Sequence, residues 1–293
     1  MTSAQLGLIG GSGFYQMEGL SEIEELRIDT PYGAPSDAIV LGTLHGVRIA
    51  FVPRHGVGHR ILPTEVPSHA NIWALKQLGV ERILAISAVG SLREEMAPYH
   101  FVVPDQLLDR TRERKGTFFG EGIVGHISFD EPFCPVVNKA LFDAADANEN
   151  VTVHRGGTLV VVEGPAFSTK AESALYRSWN ADIIGMTALP EAKLAREAEI
   201  CYGGLTLVTD YDVWHETEAP VSADVIIKNM LGGIDKGKHV AAAAIAALPQ
   251  QRDCACGSAL EKALITARDR IPETTKRKLA PIIGRYVPAG GGG

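Results

Sequence analysis

A chain of 293 residues that is 45% hydrophobic and 22% charged holds ample apolar material for a large core, which excludes disorder of the whole. Its formal net charge of −7 argues against non-specific attraction to nucleic-acid phosphates or anionic lipid, and so points to a small-molecule partner. The opening stretch MTSAQLGLIGG lacks the basic and long apolar regions of a secretory signal, and no apolar run reaches the roughly 18 residues of a membrane span, so a cytosolic location is expected.

In chain order, short strand-like runs occur as LGLIG near residue 6, RIAFVP near 48, RILAIS near 82, FVVPD near 101, TLVVVEG near 158, ADIIGM near 181 and LTLVTD near 205. Several are apolar without a break, as strands buried on both faces are. Helical patterns lie between them, at His69 to Leu78, Leu141 to Ala147, Lys170 to Trp179 and Pro190 to Ala198, with Pro190 suited to a first turn. The run VAAAAIAAL from Val240 to Leu248 reads as a buried helix. Residues 258–287 read as a helix, ALEKALITARDRI, followed by a second basic helical piece and a glycine tail. The alternation predicts a single αβα layered domain over 1–293, with a mostly parallel twisted sheet.

Four cysteines, Cys134, Cys201, Cys254 and Cys256, show no zinc-ligand spacing, so neither a disulfide framework nor a metal site is expected. A bridge across the single residue between Cys254 and Cys256 would be strained.

Ligands of open α/β sheets bind beyond the carboxyl ends of the strands, so the residues after each apolar run are the first candidates. Gly10-Gly11-Ser12-Gly13 offers backbone N–H groups and a hydroxyl to an anion, without the third glycine of a dinucleotide fingerprint. Arg54 and His55 supply a bidentate donor and a second donor for phosphate. Ser87-Ala88-Val89-Gly90-Ser91 is small and hydroxylated, and Met186-Thr187 closes another strand, with Thr187 also a candidate helix N-cap. Asp210-Tyr211-Asp212 ends the last strand with two carboxylates that can face one ligand. Shielded from water, two such acids cannot both ionise easily, which makes one of them a candidate proton donor.

Taken together, IGGSGF, PRHGVGH, ANIWALK, SAVGSLRE, DQLLDRT, EPFCP, VEGPAFST, GMTALPEAKLAREA and TDYDVW resemble, in order, the 5′-methylthioadenosine phosphorylases of the purine nucleoside phosphorylase superfamily. The resemblance implies phosphate contacts at Ser12, Arg54, His55, Ser87, Ala88 and Thr187, and ribose held by the backbone of Met186. It implies Phe167 stacked on the purine, Ser168 lining the base pocket, Asp210 facing purine N7 as the catalytic acid and Asp212 facing the 6-amino group. His59 corresponds to a histidine near the 5′ end, and His126 to one donated by a neighbouring subunit, implying a trimer or a dimer of trimers. The expected substrates are methylthioadenosine and inorganic phosphate, with no metal and no organic cofactor.

The pattern departs from the family at Gly185, where many members carry Asn, at Ala166, and at Ala223 near the 5′ pocket, which makes Ala223 a specificity candidate. Two readings compete. A methylthioinosine or general purine nucleoside phosphorylase is opposed by two acids where readers of oxo-purines put an amide, and a non-catalytic nucleotide sensor would not require the phosphate donors together.

Overall fold

The structure, a computed structural model, describes residues 3–11, 17–216 and 221–289. Its strands and helices follow in order as β1 (Leu6–Gly10), β2 (Ser21–Leu26), β3 (Ile39–Leu44), β4 (Val47–Pro53), α1 (Ser68–Gln77), β5 (Arg82–Ser91), β6 (Phe101–Val103), β7 (Gln106–Arg110), α2 (Pro135–Asp146), β8 (Val153–Arg155), β9 (Thr158–Val162), α3 (Lys170–Ser178), β10 (Ile183–Gly185), α4 (Ala188–Glu197), β11 (Cys201–Asp210), α5 (Ala223–Ala247), α6 (Glu273–Lys278) and α7 (Ala280–Ile283).

The strands form one mixed sheet whose main path runs β2-β3-β4-β1-β5-β10-β9-β7, with β11 on the other edge of β5 and β6 and β8 beyond it. Six of the ten ladders are parallel. Strand alternation divides the core into two faces. Leu8, Leu84, Ile86, Leu205 and Leu207 point to one side, where Val137 and Leu141 of α2 and Val240, Ala241 and Ala244 of α5 cover them. Ile9, Ile83, Ala85 and Val208 point to the other, against Ile72 and Leu75 of α1, Leu194 and Ala195 of α4 and Ile282 of α7. This is the expected αβα layering. The apolar VAAAAIAAL run forms the end of the 25-residue helix α5, and Gly233 lets that helix sit against β11, since a Cβ there would lie 2.4 Å from Leu207.

Three expectations change. The SAVGS stretch is not a loop after a strand; β5 runs on through Ser91. Strands β2, β3, β7 and β8 are additional to the predicted set. Residues 259–271 are not a helix, because Leu264 bridges to Gly125, Ile265 donates to Val124 O and the Thr266 hydroxyl accepts from Val124 N–H, so cross-chain bonds replace the helical ladder. Only the short helices α6 and α7 follow.

Candidate active site

The fold opens a cavity where β5 changes partners. Its first half pairs with β1 through Ala85, its end pairs with β10 at Gly90 and Ser91, and β11 runs along its other edge. A cavity of about 510 Å³ lies over this gap, a topological switch point of the sheet. Arg54, His55, Ser87, Ala88, Met186, Thr187, Phe167, Ser168, Asp210 and Asp212 all line it, as does His59. Ser12 lies outside the described residues.

A bulge in β11 positions the acids. Between Val208 and Asp210 the register against β5 shifts, so Asp210 sits opposite Gly90. A side chain at Gly90 would put its Cβ 2.8 Å from Asp210 Oδ1, so only glycine admits the carboxyl at this distance. Asp210 Oδ1 accepts from Asp212 N–H at 2.8 Å and Oδ2 pairs with the Thr209 hydroxyl at 2.8 Å. Burial pushes the Asp210 carboxyl up to about 6. Asp212, at φ 51°, is buried as well. Burial raises its carboxyl above the usual range, with the neighbouring Ser173 and Ser168 hydroxyls working the other way. Its Oδ2 and both hydroxyls are buried without a hydrogen-bond partner among the described residues. The two hydroxyls beside the carboxyl are its nearest side-chain donors.

At the other end Arg54 is differently used than its sequence context suggests. Its bidentate fork goes to Glu191, with Nε to Oε1 at 2.5 Å and Nη2 to Oε2 at 3.0 Å, and Nη1 donates to Ile86 O at 2.9 Å. Both side chains are buried, and Tyr202 donates a further bond to Glu191. Of five guanidinium N–H groups, therefore, two remain for an anion, and the charge is already paired. His55 also departs from a pure donor. Its Nδ1 bonds Ile61 O at 2.8 Å, while burial and the adjacent Arg54 charge depress the ring to about 4. The neutral ring therefore carries its proton on Nδ1, and Nε2 is left as an acceptor. His59 stacks on His55 with ring centroids 4.3 Å apart. Thr187 occupies the N-cap of α4 but its hydroxyl makes no capping bond, which leaves it available at the cavity.

Of the Met186 backbone, expected at the ribose, the carbonyl accepts from Arg114 Nη1. Arg114 also binds Glu163 and Leu189 O, and so locks the β9 end to the β10–α4 turn. Burial favours the neutral Glu163 carboxyl, but the N–H groups of Arg112 and Glu113 outweigh it and hold the group at about 2. Sequence reasoning missed Glu191, Arg114 and Glu163, since buried charges spaced far along the chain look like ordinary surface charges. Ala223 is not part of the cavity: it is exposed at the start of α5, and the apolar wall comes from Ile226, Met230, Leu231 and Ile234 further along. Phe167 stands at the mouth, 40% exposed. His126 is exposed, outside the cavity, beside the exposed Val124 and Ile265.

A profile described as the phosphorylase superfamily matches residues 5–246. The S-methyl-5′-thioadenosine phosphorylase of Koribacter versatilis is 54% identical over 97% of this chain and 97% of its own. That of Geobacter sulfurreducens is 53% identical over 96% and 99%. The chain belongs to the methylthioadenosine phosphorylase branch of the phosphorylase superfamily. Among solved structures of this family, a methylthioadenosine phosphorylase from an antarctic soil metagenomic library superposes with a TM-score of 0.92 at 48% identity, covering 96% of this chain and 99% of that one. The Schistosoma mansoni enzyme in complex with adenine superposes at 0.81 with 35% identity, over 88% and 96%. Among the described residues no helix is long and apolar enough to cross a membrane.

Proposed function

We propose that this protein cleaves 5′-methylthioadenosine with inorganic phosphate, giving adenine and 5-methylthioribose 1-phosphate. The observation that carries this reading is one cavity lined both by the buried acid pair Asp210 and Asp212 and by Arg54, His55, Ser87 and Thr187. The family membership, and a Schistosoma mansoni relative solved with methylthioadenosine, support the same substrate.

The side chains divide the work. Phosphate sits between the Ser87 and Thr187 hydroxyls, the remaining Arg54 N–H groups and the Nε2 acceptor of His55, with Ser12 and the Ala88 backbone completing the cradle. A phosphate oxygen attacks the anomeric carbon as the glycosidic bond loosens through an oxocarbenium-like state, and the bonding electrons pass to the purine. Asp210, whose burial brings the protonated form within reach near neutral pH, gives its proton to N7, so adenine leaves uncharged. The 6-amino group donates to the Asp212 carboxylate, whereas a 6-oxo group would meet it acceptor to acceptor. Phe167 covers the base, the Met186 N–H faces the ribose, and the apolar wall of α5 receives the methylthio group. No metal or organic cofactor takes part in this scheme. Exposed His126 reaches a neighbouring subunit's site in a trimer or hexamer in the cytosol, so His126→Ala should lower activity in an unchanged assembly.

The test is release of adenine from methylthioadenosine. Release that needs phosphate and yields a pentose 1-phosphate is expected; release at the same rate without phosphate would make the protein a hydrolase and sink the proposal.

A further inference from the structure

The fold gathers the four cysteines that the sequence scatters. Cys134 caps the start of α2, Cys201 opens β11, and Cys254 and Cys256 flank a single residue in the segment after α5. All four sulfurs lie within 4.8 Å of one another, with Cys201 and Cys254 at 3.2 Å and Cys134 and Cys254 at 3.8 Å. We propose that these four thiols are a structural site for a thiophilic divalent ion, with zinc the fitting case.

Four sulfurs at the usual Zn–S distance of about 2.3 Å form a tetrahedron with edges of about 3.8 Å, which the spread here, from 3.2 Å to at most 4.8 Å, brackets. Disulfide pairing would instead draw the sulfurs together in twos. The surroundings suit a negatively charged cluster. The N–H groups of Val136 and Val137 lie in the first turn of α2, directly after Cys134 at its N-cap. Arg252 packs against Gly257, whose carbonyl accepts from Arg285, so two guanidinium groups stand at the residue that follows Cys256. Across the β5–β11 ladder Cys201 is paired with Arg82. Such outer partners steady thiolate ligands.

Ligation needs thiolates, so binding of the ion would release the thiol protons to solvent. Cys201 lies nine residues from Asp210 on one strand, a span of about 30 Å, so the ion would be structural and take no part in the reaction. It would fasten the segment after α5 to the β11 start and the α2 cap.

The experiment uses the untagged, full-length protein purified under reductant without chelator. We expect about one zinc per chain retained through gel filtration, thiols that resist a thiol reagent until a chelator strips the ion, and a thermal midpoint lower by at least about 4 °C once stripped. Loading with Co²⁺ should produce sulfur-to-cobalt charge-transfer absorption, absent in the double variant Cys134→Ser/Cys254→Ser. The wild-type measurements stand even if that variant fails to fold. Reduced wild-type protein that keeps less than about a tenth of an ion per chain after incubation with excess Zn²⁺ would overturn the proposal. So would an intact mass showing disulfides in the protein as it is isolated. Phosphorolysis by the stripped enzyme distinguishes failure here from failure of the functional reading.

Discussion

Asp210→Asn separates the chemical role of this carboxyl from its structural one. An Asn in the same rotamer keeps Oδ1 as the acceptor of Asp212 N–H and places its amide beside the Thr209 hydroxyl, which can then accept from it and donate to Val89 O at 3.2 Å. The hydrogen bonds are therefore kept. Stability should hold or rise, because the carboxyl, shifted from 3.8 to about 6, is unfavourably ionised in the fold. At about 1.4 kcal/mol per unit, ionising it at pH 8 costs up to about 3 kcal/mol, which the amide does not incur. Turnover should fall by about 10² to 10⁴, since an amide can hydrogen bond to N7 but cannot transfer a proton. Adenine release and calorimetric unfolding of both proteins at pH 8 decide the matter. Turnover within about threefold of wild type refutes the acid role. A midpoint lowered by several degrees refutes the burial argument, since it would mean that the ionised carboxylate is what Thr209 and Asp212 N–H stabilise.

Asp212→Asn supplies a donor where an acceptor now stands, so the ratio of kcat/KM for methylthioinosine to that for methylthioadenosine should rise by at least about tenfold; an unchanged ratio removes Asp212 from base selection. Arg54→Ala leaves Glu191 buried without its cation, a loss of about 3 to 5 kcal/mol, and the thermal midpoint should drop by about 10 °C. A midpoint held within a degree or so would show that the ion pair is dispensable. Glu197 tests the pH dependence. Burial raises its carboxyl from 4.5 to about 7 in the fold, so its stabilisation is complete below the unfolded value and disappears as pH rises through 7. Glu197→Gln should gain about 3 kcal/mol on wild type between pH 4.5 and pH 8 in urea titrations, and parallel profiles would disprove it.

How much of this was legible in the sequence depends on what each residue packs against. Strands β1, β4, β9 and β11 announce themselves as apolar runs because both faces are covered, whereas β2, reading SEIEEL, is an exposed edge with no such pattern. The stretch 259–271 has the composition of a helix but buries Leu260 and Ala263 while bridging to residues 124–126, and tertiary bonds override propensity there. Strand-end position located the cavity, because ligand-facing residues follow directly from the sheet. It did not reveal that the Arg54 fork is turned to Glu191, a partner 137 residues away. The gathering of the cysteines was hidden in the same way, since Cys134 and Cys254 meet across 120 residues.

The proton on His55 Nδ1, fixed by Ile61 O, bears on which anions the cavity admits. Sulfate matches phosphate in size and shape, and a cradle made only of donors would take either. An acceptor nitrogen in the cradle changes the comparison. The phosphate that predominates near neutral pH still holds a proton to give to Nε2, while sulfate has none and would press a lone pair against a lone pair. In the proposed cradle such a ring would favour an oxyanion that still carries a proton, giving phosphate an advantage over sulfate of the same size and shape.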